Sequence, residues 1–130
     1  MNKARELYNK LEELTSEYVA EKKKLEKMQS RLDKEINKFY HNLESRGNFN
    51  AAEGYYIAKD LQELLKKRRV VKQELYTLRM VNNNLQFNKI ESILPHARKC
   101  LNTIQKDQKK GYSGDWDINI SDVEEELVLN

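Results

Sequence analysis

No glycine or proline occurs before Gly47 in this chain of 130 residues. Within that run, apolar residues recur at spacings alternating between three and four: Leu7, Leu11, Leu14, Tyr18, Leu25, Met28, Leu32, Ile36, Phe39 and Leu43, with one gap at Glu21. Such spacing puts every member on one narrow stripe of a helix. The run therefore predicts a single helix from about Lys3 to about Ser45, roughly 60 Å long at 1.5 Å per residue. A stripe this narrow on a helix this long reads as a coiled-coil seam.

The segment Ser45-Arg46-Gly47-Asn48-Phe49 interrupts it. Gly47, with Asn48 able to share the role, is expected to supply the left-handed residue that ends a helix. A second helix is predicted from Asn50 to Leu85. Asn50 suits its N-cap, Glu53 the reciprocal half of a capping box, and Phe49 a hydrophobic staple. Its stripe combines Ile57, Leu64, Val71, Leu78 and Leu85 with Leu61, Arg68, Leu75 and Asn82. So short a turn makes the two helices antiparallel neighbours. Folded symmetrically, the hairpin pairs Phe39 with Ile57, Leu32 with Leu64, Met28 with Arg68, Leu25 with Val71, Tyr18 with Leu78 and Leu11 with Leu85. Glu21, Glu35, Arg68 and Asn82 are polar exceptions of the kind that fix register.

The second helix should fade near Asn82-Asn83-Asn84 or fray to about Ile90. Pro95 fits the first turn of a third helix, with Ser92 upstream as a cap and Leu94, Ala97, Leu101 and Ile104 as its apolar face. That helix is expected to pack on the open end of the hairpin. After Lys110, Gly111-Tyr112-Ser113-Gly114 reads as a turn. Trp116, Ile118 and Ile120 alternate with Asp117 and Asn119, as in a short strand. Ser121 with Glu124 suits the cap of a last helical turn, and a second strand over 126–130 is the alternative. The predicted fold is all-α: a long antiparallel two-helix coiled-coil hairpin plus a shorter third helix over 1–110, and an acidic tail over 111–130 able to form a short strand.

Charged residues are 35% of the chain against 38% hydrophobic, a composition suited to long solvated helices with a thin core. Self-association or a partner is expected to complete it, so the chain reads as a homo-oligomer. The net charge of +3 hides an asymmetry. Residues 1–110 carry all 24 Lys and Arg and 15 acids, for +9, while residues 111–130 carry six acids and no base. An anionic partner for the body, or a tail competing for the same surface, follows from that division. The single Cys100 excludes an internal disulfide and suits a reducing compartment. With no leader and no membrane span read from the sequence, the expected location is the cytoplasm.

Catalytic signatures are missing. His41 and His96 fall on different predicted helices without metal-ligand spacing, and Cys100 has no second cysteine. No phosphate loop or dinucleotide fingerprint is present. A Cys100–His96 pair shares a helical face, but a buried structural cysteine is the plainer reading. The expectation is a protein that is not an enzyme and needs no cofactor or metal. Binding can rest on three features: the basic run Lys66-Lys67-Arg68-Arg69 with Lys22, Lys23, Lys24 and Lys27 opposite; the aromatics Tyr55 and Tyr56 after Gly54, with Tyr40 and His41 facing; and Trp116 between Asp115 and Asp117 as a partner-binding tail. For Gly54, close approach of the two helices is the plain explanation and room for a ligand the sharper one.

The stretch Asp33 to Leu78 resembles small helical-hairpin proteins of phages and prophages of Gram-positive bacteria. The residues that carry the resemblance are Asp33-Lys34-Glu35-Ile36, Tyr40-His41, Asn50-Ala51-Ala52-Glu53-Gly54-Tyr55, Arg68-Arg69 and Lys72-Gln73-Glu74-Leu75. That group is similar to anti-Thoeris sponge proteins, oligomers that sequester a cyclic ADP-ribose signal without chemistry. The resemblance implies ligand contacts from Tyr55, Arg68 and Arg69, while Asp115 to Asn130 has no counterpart in the pattern. The functional expectation is a phage-type counter-defence protein acting by stoichiometric binding, in its sharpest form sequestration of a nucleotide-derived immune signal. The alternatives are a protein–protein inhibitor or adaptor of a host factor, through the hairpin or the Trp116 tail, and nucleic-acid binding through the Lys/Arg face.

Overall fold

The computed structural model describes residues 3–109 and 120–127. Among them the fold is all-α: α1 is Lys3–Ser45, α2 Ala51–Leu85, α3 Phe87–Lys109 and α4 Ile120–Leu127. The uninterrupted first helix matches its predicted bounds. It serves as a spine, with α2 against its C-terminal half and α3 against its N-terminal half. Ion pairs Arg46–Glu53, Arg68–Asp33 and Arg79–Glu26 rise in one helix as they fall in the other, so α1 and α2 run antiparallel.

The turn between them is built differently from its sequence reading. Asn50 caps α2 from extended backbone, its side-chain oxygen accepting the Glu53 N–H at 2.8 Å. The Glu53 carboxylate does not return to Asn50; it takes Arg46 at 3.1 Å, because a cation in the turn is the stronger partner. Neither Gly47 nor Asn48 adopts the left-handed conformation. At the end of α1 the Ser45 hydroxyl donates to the carbonyls of His41 and Asn42, and the Arg46 N–H reaches Leu43. Phe49 does staple: its ring lies over Gly54, where an added Cβ would sit 3.4 Å from Cε2. The closest neighbour of Gly54 is thus that ring and not the opposite helix.

The core is small. Leu25, Val71 and Leu75 are buried together, with Leu32 and Leu78 packed against them, so the expected Leu25–Val71 layer forms. Arg68 departs from its expected place opposite Met28 and donates through Nε to Asp33 at 2.7 Å. Beyond Leu78 the predicted seam thins: Asn82 is half-buried, with its side-chain oxygen enclosed. Leu85 is 56% exposed, and the buried Tyr18 stacks on Phe87 with centroids 4.9 Å apart.

The cause is Gln86, a left-handed residue at φ 56° and ψ 49° whose N–H bonds to the Asn82 carbonyl. Its own carbonyl accepts from Lys89 and Ile90, so one residue closes α2 and opens α3. An unbroken stripe would have brought Lys89, Ser92 and His96 toward α1. The phase slip brings Leu94 in instead, buried, with Ile90 and Leu101 half-buried. α3 therefore starts eight residues before Pro95, which lies inside it rather than in its first turn, and the Ser92 hydroxyl donates to Lys89 within the helix. α3 is pinned along α1 by Arg98, which donates to the Tyr8 hydroxyl at 2.8 Å and to Glu12 at 3.0 Å, and by Arg5, which donates to Asn102 and Gln105. The bond it donates to Tyr8, with Glu12 beside it, raises the Arg98 pKa above its ordinary value.

Of the two proposed tail strands, residues 116–119 and 128–130 lie outside the described residues. Ile120 begins α4, Ser121 lies within it, and Glu126 and Leu127 continue it, so helix replaces both proposed strands there. An i, i+3, i+7 apolar stripe of Ile120, Val123 and Leu127 favours that outcome. No described helix is long and apolar enough to cross a membrane.

Candidate interaction surface

A chain of 15.5 kDa folded compactly exposes roughly 7,200 Å². This one exposes 11058 Å². Helix faces that a two-layer spine leaves uncovered contribute to the excess, and α2 carries the most distinctive of them. Every charge-bearing position on one outer face of α2 is basic. Leu65, Arg69, Lys72 and Tyr76 recur at spacings of four, three and four, which aligns them along the helix. Together with Gln62, Lys66, Arg68 and Gln73 they line an open hollow of about 620 Å³, without a carboxylate among the lining residues.

The cations there differ in availability. The Arg68 guanidinium is half-buried and held by Asp33, which spends its charge inside the fold. Lys66, Arg69 and Lys72 form no ion pair among the described residues. Leu65 is 41% and Tyr76 63% exposed, so apolar and aromatic area alternates with unpaired charge. A second hollow, of about 670 Å³, lies between α1 and α2 and is lined by Met28, Leu32, Val70 and Val71 with both signs of charge, among them Glu35, Glu63 and Lys67. A further apolar area is left by Leu7, Leu11 and Leu14 on α1 and by Ile93 and Ile104 on α3, all exposed.

The residues singled out from sequence are not gathered in one place. Tyr55 is exposed at the start of α2 and packs edge-on against Tyr56, with centroids 5.4 Å apart. Fourteen residues separate it from Arg69, about 21 Å of helix. Arg68 and Arg69 are adjacent in sequence, but the first turns into the α1 contact and the second outward. Trp116, Asp115 and Asp117 lie outside the described residues. Cys100 is exposed, contrary to the reading of a buried structural thiol, because the phase slip turns its face of α3 outward. No cluster of metal-ligating side chains occurs among the described residues.

Leu65, Lys72 and Tyr76 were missed as partners of Arg69, although the signal was present. A second stripe, about a third of a turn from the seam, could have been drawn through them at the same spacing that defined the seam. Compared with known protein families, curated proteins and solved structures, the chain matches none.

Proposed function

We propose that this protein is a non-catalytic binder that acts by stoichiometric occupancy, and that the outer face of α2 is its recognition surface for an acidic, amphipathic helix of a protein partner. The single observation that carries the reading is the acid-free face on which Lys66, Arg69 and Lys72 stand unpaired beside Leu65 and Tyr76. A helix laid along it gains apolar burial from the two side chains and charge complementarity from the three cations, the combination that gives helix-on-helix recognition both affinity and direction. The openness of the hollow favours an extended partner over a small molecule, which binds where most of its surface can be enclosed. The antiparallel coiled-coil hairpin is the rigid platform for the face. A cytoplasmic inhibitor or adaptor of a host factor, including one in phage counter-defence, works in this way.

A second reading, sequestration of a nucleotide-derived signal, is favoured by Tyr76 and Arg69 sharing one face, where stacking and phosphate pairing can combine. Placing a photo-crosslinking residue at Tyr76, and at Glu74 as a control off that face, separates the two. In cells of the natural host, the protein reading expects a crosslink from position 76 to an acid-rich segment, lost in Arg69→Glu/Lys72→Glu. Native mass spectrometry showing a bound nucleotide-sized mass, with no protein crosslink, would transfer the conclusion to the second reading. Crosslinking from position 74 alone would remove the α2 face from both.

A further inference from the structure

The chain holds a match for its own recognition face. α4 carries Ile120, Val123 and Leu127 on one stripe, flanked by Glu124 and Glu126, and has no basic residue. Ile120 is 70% and Leu127 60% exposed, and α4 shares no extended interface with the other helices. At eight residues it is about 12 Å long. The twelve residues from Leu65 to Tyr76 span about 16 Å. One amphipathic element is acidic, the other basic, and Ile120 and Leu127 on the first and Leu65 and Tyr76 on the second are exposed in the single chain.

The two cannot readily meet within one molecule. Arg5 bonds to Gln105, which fixes the end of α3 beside the start of α1, whereas Arg68 bonds to Asp33. The 28 residues between Arg5 and Asp33 measure about 42 Å of helix, and α3 runs on past Gln105 for about 6 Å more in the opposite direction. Eleven Cα steps connect Lys109 to Ile120, a reach of at most about 40 Å. Seating a chain's own α4 over the centre of its own α2 face would stretch that connection to about its full reach.

We infer that two copies of this chain exchange their C-terminal helices, the α4 of each seated on the Leu65–Tyr76 face of the other. The arrangement is isologous: two identical contacts related by a two-fold axis, which close the assembly as a dimer. It rests on the reading of that face as a recognition surface and adds its resting occupant. An external acidic partner must then displace α4, so the dimer is the closed form of the binder and the partner complex its open form. The surplus of exposed surface over a compact monomer is the area such an exchange draws on.

Sedimentation equilibrium on two full-length variants tests the exchange. One carries Arg69→Glu/Lys72→Glu, the other Glu124→Lys/Glu126→Lys. All four positions are exposed, so far-UV circular dichroism should be unchanged. Each variant alone faces like charge with like, and its dimer dissociation constant should rise about tenfold or more over the native chain. Mixed in equal amounts, they present opposite charges at both contacts, and a heterodimer should form with close to native affinity. A mixture that associates no better than its components overturns the exchange, as does a native chain that is monomeric throughout. Neutral Glu124→Gln/Glu126→Gln, expected to weaken the dimer less than the lysine pair, guards against misfolding from charge reversal. If mixing fails while a partner still crosslinks at position 76, only the exchange is lost.

Discussion

Replacing Leu75 by alanine, with Leu85→Ala as its control, tests where the hairpin seam stops. Both leucines belong to the apolar stripe of α2, and a continuous heptad gives them equal standing. The structure separates them: Leu75 is 2% exposed among Leu25, Val71, Leu32 and Leu78, whereas Leu85 is 56% exposed beside the break at Gln86. Truncating a buried leucine costs about 2.7–5 kcal/mol, with the lower values where neighbours can collapse into the gap. A core only two helices thick can collapse, so about 3 kcal/mol is expected for Leu75→Ala. Leu85 keeps more than half of its surface in water, and its truncation should cost about 1 kcal/mol or less. Urea unfolding followed by circular dichroism gives both values, provided protein concentration is held fixed so that association does not enter the comparison. Equal losses would refute the reasoning, because they would mean that α2 packs on α1 along its whole length and that the seam runs on through Leu85.

Three further substitutions probe the local devices. Gln86→Gly should stabilise the chain by about 0.5–1 kcal/mol in the same urea assay, since glycine removes the steric cost of the left-handed conformation. Pro95→Ala should raise stability by about 1–3 kcal/mol and increase helical ellipticity, by restoring the N–H that the Glu91 carbonyl lacks inside α3. Gly54→Ala should gain about 0.5–1 kcal/mol, because the only atoms near the added Cβ belong to the half-exposed Phe49 ring at 3.4 Å, which can shift. A loss in thermal or urea stability at Gly54 would mean that the glycine admits something other than that ring.

Much of the fold was legible because it rests on period and punctuation. The glycine-free run gave α1 its length, and the Asn50 cap with its Phe49 staple gave α2 its start. What escaped were choices made by single residues between near-equal options. Gln86 adopts a conformation more often associated with glycine or asparagine, so composition pointed to the asparagine run before it. Yet the stripe itself announced a break, since its in-phase continuation is Lys89, Ser92 and His96. Pro95 misled because the first turn of a helix is its cheapest position, and tertiary contacts at Leu94 and Arg98 outweigh that preference. The site was legible as charge but not as a face. Reading Lys66-Lys67-Arg68-Arg69 as a run hid that successive residues point a quarter-turn or more apart, so Arg68 serves the fold while Arg69 faces out.

The most direct test of the account is hydroxyl-radical footprinting of the full chain across a dilution series that spans its association. It reports solvent exposure at individual side chains on every uncovered face. If the outer face of α2 is the recognition surface and the α4 of a second copy is its resting occupant, Leu65 and Tyr76 become protected as the protein associates, while Tyr56 and Val70 on other faces of α2 keep their reactivity. Protection confined to Leu7, Leu14, Ile93 and Ile104, with Tyr76 reacting equally at every concentration, would contradict it and move the interface to the α1–α3 end of the spine.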